Sequence, residues 1–152
     1  MKLAEALIER ADLQKRAAQL EERIVRNMLV QEGQQPPEDP QQLLKEFMEV
    51  TAALELLIPR IHRANLSATL PSGLTLTDAL NRRDMLDLRL KVLRRAAATA
   101  SERQNRYSNS EVRTLSVLPA RDLQKQVDAL AKARRELETQ IQQANWLTEL
   151  PG

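Results

Sequence analysis

The chain has no cysteine, one histidine, three glycines, and a single Trp, Tyr and Phe among its 152 residues. Without cysteine there can be no disulfide, thiol nucleophile or thiolate metal site, and the composition fits a reducing, cytoplasmic setting. His62 alone cannot anchor a metal, and no Glu-x-x-His pair of the kind that builds di-iron bundles occurs. Ser67, Ser72, Ser108 and Ser110 lack a nucleophile-elbow context, and only one histidine could serve them as base. Gly33 and Gly73 stand apart, so there is no glycine-rich phosphate loop. No catalytic residue, metal site or cofactor is therefore expected, and the protein reads as a non-enzyme. Nor does any stretch reach the roughly 18 uninterrupted apolar residues of a membrane span. The opening MKLAEALIERADLQ breaks its apolar positions with Glu5, Glu9 and Arg10, unlike a secretory signal.

With hydrophobic residues at 42% and aromatics at 2%, the core must be built from Leu, Ile, Val and Ala, which is the chemistry of a helical bundle. Apolar residues recur in a 3-4 rhythm: Leu43, Phe47, Val50, Leu54, Leu57, Ile61 in one segment, and Leu123, Val127, Leu130, Leu137, Ile141, Ala144 in another. The spacing predicts an all-α domain spanning 1–152, with about four long antiparallel helices in a coiled-coil-like bundle. The first helix should run from Lys2 to Gln31 and stop at Gly33. Asp39 followed by Pro40 forms an N-cap with proline at the first helical position, so the second should cover Pro40 to Ala64, weakened or kinked at Pro59. NLSATLPSGLTL reads as a small β-hairpin or ordered loop near 66–76, and Thr75 with Asp78 resembles a capping box opening the third helix. Residues near 106–119 should be irregular. The fourth helix should run from Ala120 to Ala144, with Trp146 and Leu147 docked on neighbouring apolar surface.

Apolar residues also lie off the main seams: Leu7, Ile8, Ala11, Val25 and Met28 on the first helix, Leu44, Met48, Ala52 and Leu56 on the second, and Met85, Leu88 and Val92 on the third. Such wide arcs mark either a central helix or a contact with another copy, and a homo-oligomer is expected.

Arg10, Asn27, Gln31, Arg83, Gln104 and Arg134 interrupt the seams. They could set register, or form a polar ligand pocket in which Arg83 supplies charge and Asn27, Gln31, Glu32 and Asn65 complete it; the register role is the preferred reading. A second candidate ligand or partner site is the polar stretch RQNRYSNSEVR, with Arg106, Tyr107, Ser110, Glu111 and Arg113, whose Ser and Asn could equally close turns. Charge is uneven. Residues 34–58 hold one Lys against five acidic residues, whereas 82–113 hold nine basic residues against four acidic. The basic stretch could track phosphates, making nucleic acid an alternative partner; a solvated face, or a patch meeting the acidic second helix across a subunit contact, is preferred.

RIVRNMLVQEG (23–33), GLTLTDALNRRDML (73–86), RYSNSEVRTLS (106–116) and NWLTEL (145–150) together resemble, in order and over nearly the whole chain, a family of small bacterial proteins often labelled septicolysin. The resemblance implies a helical bundle, and the label implies a membrane-active lysin. The leading reading is a cytoplasmic, self-associating helical protein carrying a small polar ligand or partner site.

Overall fold

The computed structural model describes residues 1–102 and 112–152. These residues form four helices: α1 (Leu3–Arg26), α2 (Pro40–Ser67), α3 (Leu76–Ser101) and α4 (Ala120–Leu147). No strand forms among the described residues, so the fold is all-α. The chain divides into two compact units, Met1–Ala68 with Gln143–Gly152, and Thr69–Gln142.

In the first unit α1 packs along α2. Arg16 pairs with Glu46 and Arg23 with Glu38, so residue numbers rise on one helix as they fall on the other, which makes the pair antiparallel. Between the helices lie Leu20, Leu43 and Val50, with Leu13, Ala17, Ile24, Phe47 and Leu54 against them. Aliphatic burial of this kind contributes roughly 1.5–3 kcal/mol for each fully covered side chain.

The predicted caps on α2 and α3 form. Asp39 accepts from the Gln41 amide at 3.0 Å with Pro40 as the first helical residue, and the Thr75 hydroxyl accepts from the Asp78 amide at 3.1 Å. α2 stays helical through Pro59 and runs three residues past Ala64, to Ser67.

Two expectations need correction, and the choice of hairpin or ordered loop near 66–76 falls to the loop. The first helix ends at Arg26 rather than Gln31. The Asn27 amide donates to the Arg23 and Ile24 carbonyls while its Nδ2 donates to the Arg23 carbonyl at 2.7 Å, so one side chain takes over the orphaned end of the helix. Gly33 does adopt a left-handed φ of 84°, but in a later turn where the Gln34 amide donates to the Gln31 carbonyl. Residues 68–75 form no hairpin ladder. They are an ordered turn closed by one isolated bridge, Thr69 with Thr75, with Gly73 at φ 89°. Trp146 and Leu147 do not dock: they are 53% and 69% exposed, and Asn145 and Leu150 are buried instead. Because α4 continues to Leu147, Trp146 falls about 140° from Ile141 around the helix, on the outer side.

The two helical hairpins repeat one another. α2 and α4 are each 28 residues long and begin 80 positions apart, at Pro40 and Ala120. In that register Leu43, Leu57, Ile61, Ala64 and Leu70 fall on Leu123, Leu137, Ile141, Ala144 and Leu150, all buried. α1 and α3 match with a shift of 73, placing buried Leu3 and Ala6 on buried Leu76 and Ala79. Even the junctions agree. Lys2 bridges Glu149 as Thr75 bridges Thr69; the Leu150 amide donates to the Met1 carbonyl at 2.9 Å, as the Leu70 amide does to Leu74 at 2.8 Å.

Candidate functional site

The sequence-predicted polar residues divide between the units, and their bonds are local. Asn27 is buried. Its Nδ2 caps α1 and its Oδ1 accepts from the Glu38 amide at 3.0 Å, tying the end of α1 to the start of α2. Glu38 is also held by the Arg23 guanidinium, whose Nε donates to Oε2 at 3.0 Å and whose second nitrogen donates to Oε1. The hydrogen bond from Arg23 keeps the Glu38 carboxyl below the usual carboxylate range, with the Arg26 charge adding to it. Gln31 and Glu32 are exposed in the linker, and Asn65 is half-buried in the last turn of α2. In the second unit Arg113 is exposed. Arg106, Tyr107, Ser110 and Glu111, together with Gln104, lie outside the described residues.

Arg83 belongs to an ionic network between α3 and α4 of the second unit. It donates to Glu138 Oε2 at 3.3 Å and lies 3.8 Å from Asp84. Arg134 donates to the same Glu138 oxygen at 3.3 Å and makes a two-pronged pair with Asp87 at 2.9 and 3.4 Å. Gln142 donates to the other Glu138 oxygen at 2.7 Å. The Gln142 bond, followed by the Arg83 bond, holds the Glu138 carboxyl below its ordinary range, and Arg134 does the same for Asp87. Glu138 is thus the hub that neutralises two seam arginines, and the guanidinium of Arg83 is already matched. Sequence reasoning picked out Arg83 and Arg134 but missed Asp87 and Glu138. The signal was present, since Asp87 follows Arg83 by four residues and Glu138 follows Arg134 by four.

The repeat register identifies what the first unit lacks. Arg10 is the counterpart of Arg83, but Ile58 stands where Glu138 does, and Gln14 and Leu54 stand for Asp87 and Arg134. Accordingly Arg10 Nε is buried with no hydrogen-bond partner among the described residues. A shallow groove of about 420 Å³ runs along α1, lined by Glu5, Ile8, Glu9, Asp12, Leu13 and Arg16. All six lie on one helix, so it encloses nothing.

The larger feature is on the outer helix faces. Leu44, Met48, Ala52 and Leu56 recur every fourth residue on α2, on the side away from buried Leu43, Val50 and Leu57; Met48 and Leu56 are 62% and 74% exposed. Met85, Leu88 and Val92 form a similar stripe on α3, where Val92 is 60% exposed. Their counterparts in the repeat are polar: Gln124, Asp128, Lys132 and Glu136 on α4, and Asp12, Lys15 and Gln19 on α1. The polar α4 face even carries its own hydrogen bond, Gln124 to Asp128 at 2.9 Å. Each hairpin thus pairs one helix carrying an exposed apolar stripe with one whose matching positions are polar.

Among the described residues no helix is long and apolar enough to cross a membrane. No curated protein matches the chain. A crystal structure of a functionally unknown conserved protein from Corynebacterium diphtheriae is similar over 99% of both chains, at 39% identity and a TM-score of 0.93. The profile of a family of unknown function, DUF6847, matches residues 10–150, and the chain belongs to that family.

Proposed function

We propose that this is a non-enzymatic, cytoplasmic protein whose helices self-associate through the outer faces of α2 and α3. The observation that carries the reading is the repeat: polar residues stand on α1 and α4 at the positions matching the exposed stripes Leu44–Met48–Ala52–Leu56 and Met85–Leu88–Val92, so those helix positions do not require apolar residues. The six larger side chains leave the equivalent of about three whole ones in water, and covering them is worth roughly 5–9 kcal/mol per chain. Two chains double that figure, against an association cost of roughly 4–15 kcal/mol. Size-exclusion chromatography with light scattering tests the reading, with a mass at least twice 17.3 kDa expected. A monomer at every concentration would overturn it.

A second reading is supported by one observation: Arg82, Arg89, Lys91, Arg94 and Arg95 on α3 are exposed and form no ion pair among the described residues. These cations could bind nucleic acid. That predicts excess 260 nm absorbance under the protein peak and salt-sensitive binding lost in R94E/R95E. The polar-site reading of Asn27, Gln31, Glu32, Asn65, Arg83 and the 106–113 stretch is secondary, since Asn27 and Arg83 are already bonded within the chain. The lysin reading calls for dye release from liposomes, and none is expected.

A further inference from the structure

We infer that the first hairpin carries a binding site for a small carboxylate, formed by Arg10, Gln14 and His62, at the level where the second hairpin holds the carboxylate of Glu138. Self-association plays no part in it. In the second hairpin that carboxylate accepts hydrogen bonds from Arg83, Arg134 and Gln142, and Asp84 lies 3.8 Å from Arg83. The repeat keeps the cation at the Arg83 position, as Arg10, and puts His62, also a donor, at that of Gln142. Every acid of the network is exchanged for an uncharged residue: Asp84 for Ala11, Asp87 for Gln14 and Glu138 for Ile58. Leu54 takes the place of Arg134.

Arg10 is therefore a cation without a counter-charge in its own hairpin. It is half-buried, with Nε fully covered and the terminal nitrogens in reach of solvent. None of Arg10, Gln14 and His62 has a side-chain hydrogen bond among the described residues. A partly desolvated guanidinium keeps its proton, attracts an anion more strongly than one in water, and fits a planar carboxylate with two donors. Gln14 lies one turn beyond Arg10 on α1 and His62 one turn beyond Ile58 on α2. Because the helices are antiparallel, these two donors stand on opposite sides of the Arg10 level. Half-buried Leu54 and Ile58 supply an aliphatic floor, which favours a carboxylate on a short alkyl chain over an inorganic anion. The competitor within the chain is Glu55, exposed and about 60° around α2 from Ile58.

His62 is the reporter for the test, since it is the chain's single histidine. In the untagged full chain at fixed pH, its imidazole signals in proton NMR should move saturably as sodium butyrate replaces sodium chloride at constant ionic strength. Butyrate at ten times its dissociation constant should also raise the midpoint of thermal unfolding by about 3–6 °C. Both responses should vanish in R10Q, which removes the charge and keeps a hydrogen-bonding amide, and in I58E, which supplies the carboxylate from within the chain. E55Q should retain them. Circular dichroism checks that each variant is helical; should I58E unfold, R10Q carries the comparison. Unmoved His62 signals in the unaltered chain, or a response that survives in R10Q, would overturn the site. A response confined to E55Q would make Glu55 the partner of Arg10 and overturn it as well, and an equal response to phosphate would overturn the choice of a carboxylate.

Discussion

The hairpin of α1 with α2 and the hairpin of α3 with α4 share register, buried positions and junction bonds, yet they close their seams with different chemistry. Where the first places Leu54 and Ile58, the second places Arg134 and Glu138, and it adds Asp87 opposite them. The apolar version asks nothing of its neighbours. The ionic version works because every member is matched, Glu138 taking bonds from Arg83, Arg134 and Gln142. Arg10 shows what happens when one member of the ionic set is kept without the rest: its Nε is buried and unbonded among the described residues. The backbone geometry of the hairpin is therefore set by the buried Leu, Ile and Ala positions the two halves share, and the mid-seam chemistry is free to vary.

Breaking the apolar seam should have the largest effect. Leu20→Ala, at a fully buried position of the first hairpin, should cost about 2–5 kcal/mol. Leu93→Ala, at the matching half-buried position of α3, should cost less; thermal or urea unfolding followed by circular dichroism measures both. Equal losses would mean that the two seams are packed alike.

The ionic seam should respond differently to partial and complete removal. Glu138→Ala leaves Arg83 and Arg134 half-buried without their shared partner and should cost about 1–3 kcal/mol, a figure held down by solvent access. The double variant R134L/E138I rebuilds the residues of the first hairpin at these positions, and should cost less than Glu138→Ala does alone. A double variant less stable than the single would show that the network itself sustains the second hairpin.

Acid should separate the hairpins by a smaller margin. Asp87 and Glu138 have folded pKa values below their ordinary range. Their contribution is therefore complete above the usual carboxylate pKa of about 4 and is lost as pH falls through the lower folded values. Between pH 5 and 3 the unaltered chain should lose more thermal stability than R134L/E138I, which lacks the Glu138 carboxyl and the Arg134 guanidinium that holds Asp87 down. Parallel losses would contradict the assignment.

Much of this was legible in the residues. Asp39-Pro40 and Thr75 announced helix starts because a short polar side chain before an apolar periodic run has one economical use, satisfying free amides. The end of α1 was not legible, because the seam spacing continues through Asn27 and Gln31 while the Asn27 side chain bonds its own last turn instead. Seam counting also missed the repeat, although Ala64-Asn65 and Leu70-Pro71 recur as Ala144-Asn145 and Leu150-Pro151. A 3-4 rhythm compares a residue with its helical neighbours and is blind to a match 80 positions away. Trp146 was misplaced for a related reason: size and hydrophobicity suggested burial, but its angle on a helix running to Leu147 faces it outward. Of the candidate site the arginines were read and the carboxylates missed, although Glu138 lies one turn beyond Arg134 on its own helix; only the cross-helix pairs, Arg83 with Glu138 and Arg134 with Asp87, needed the register between α3 and α4.

In the proposed assembly the outer faces of α2 and α3 are covered by another copy of the chain. Light scattering on the unaltered protein beside L56E/V92E tests it most directly, because both side chains are exposed and neither belongs to the core of its hairpin. An assembly of at least two chains is expected, falling to a 17.3 kDa monomer in the variant with helicity unchanged. A monomeric unaltered chain, or a variant of the same assembled mass, would contradict it.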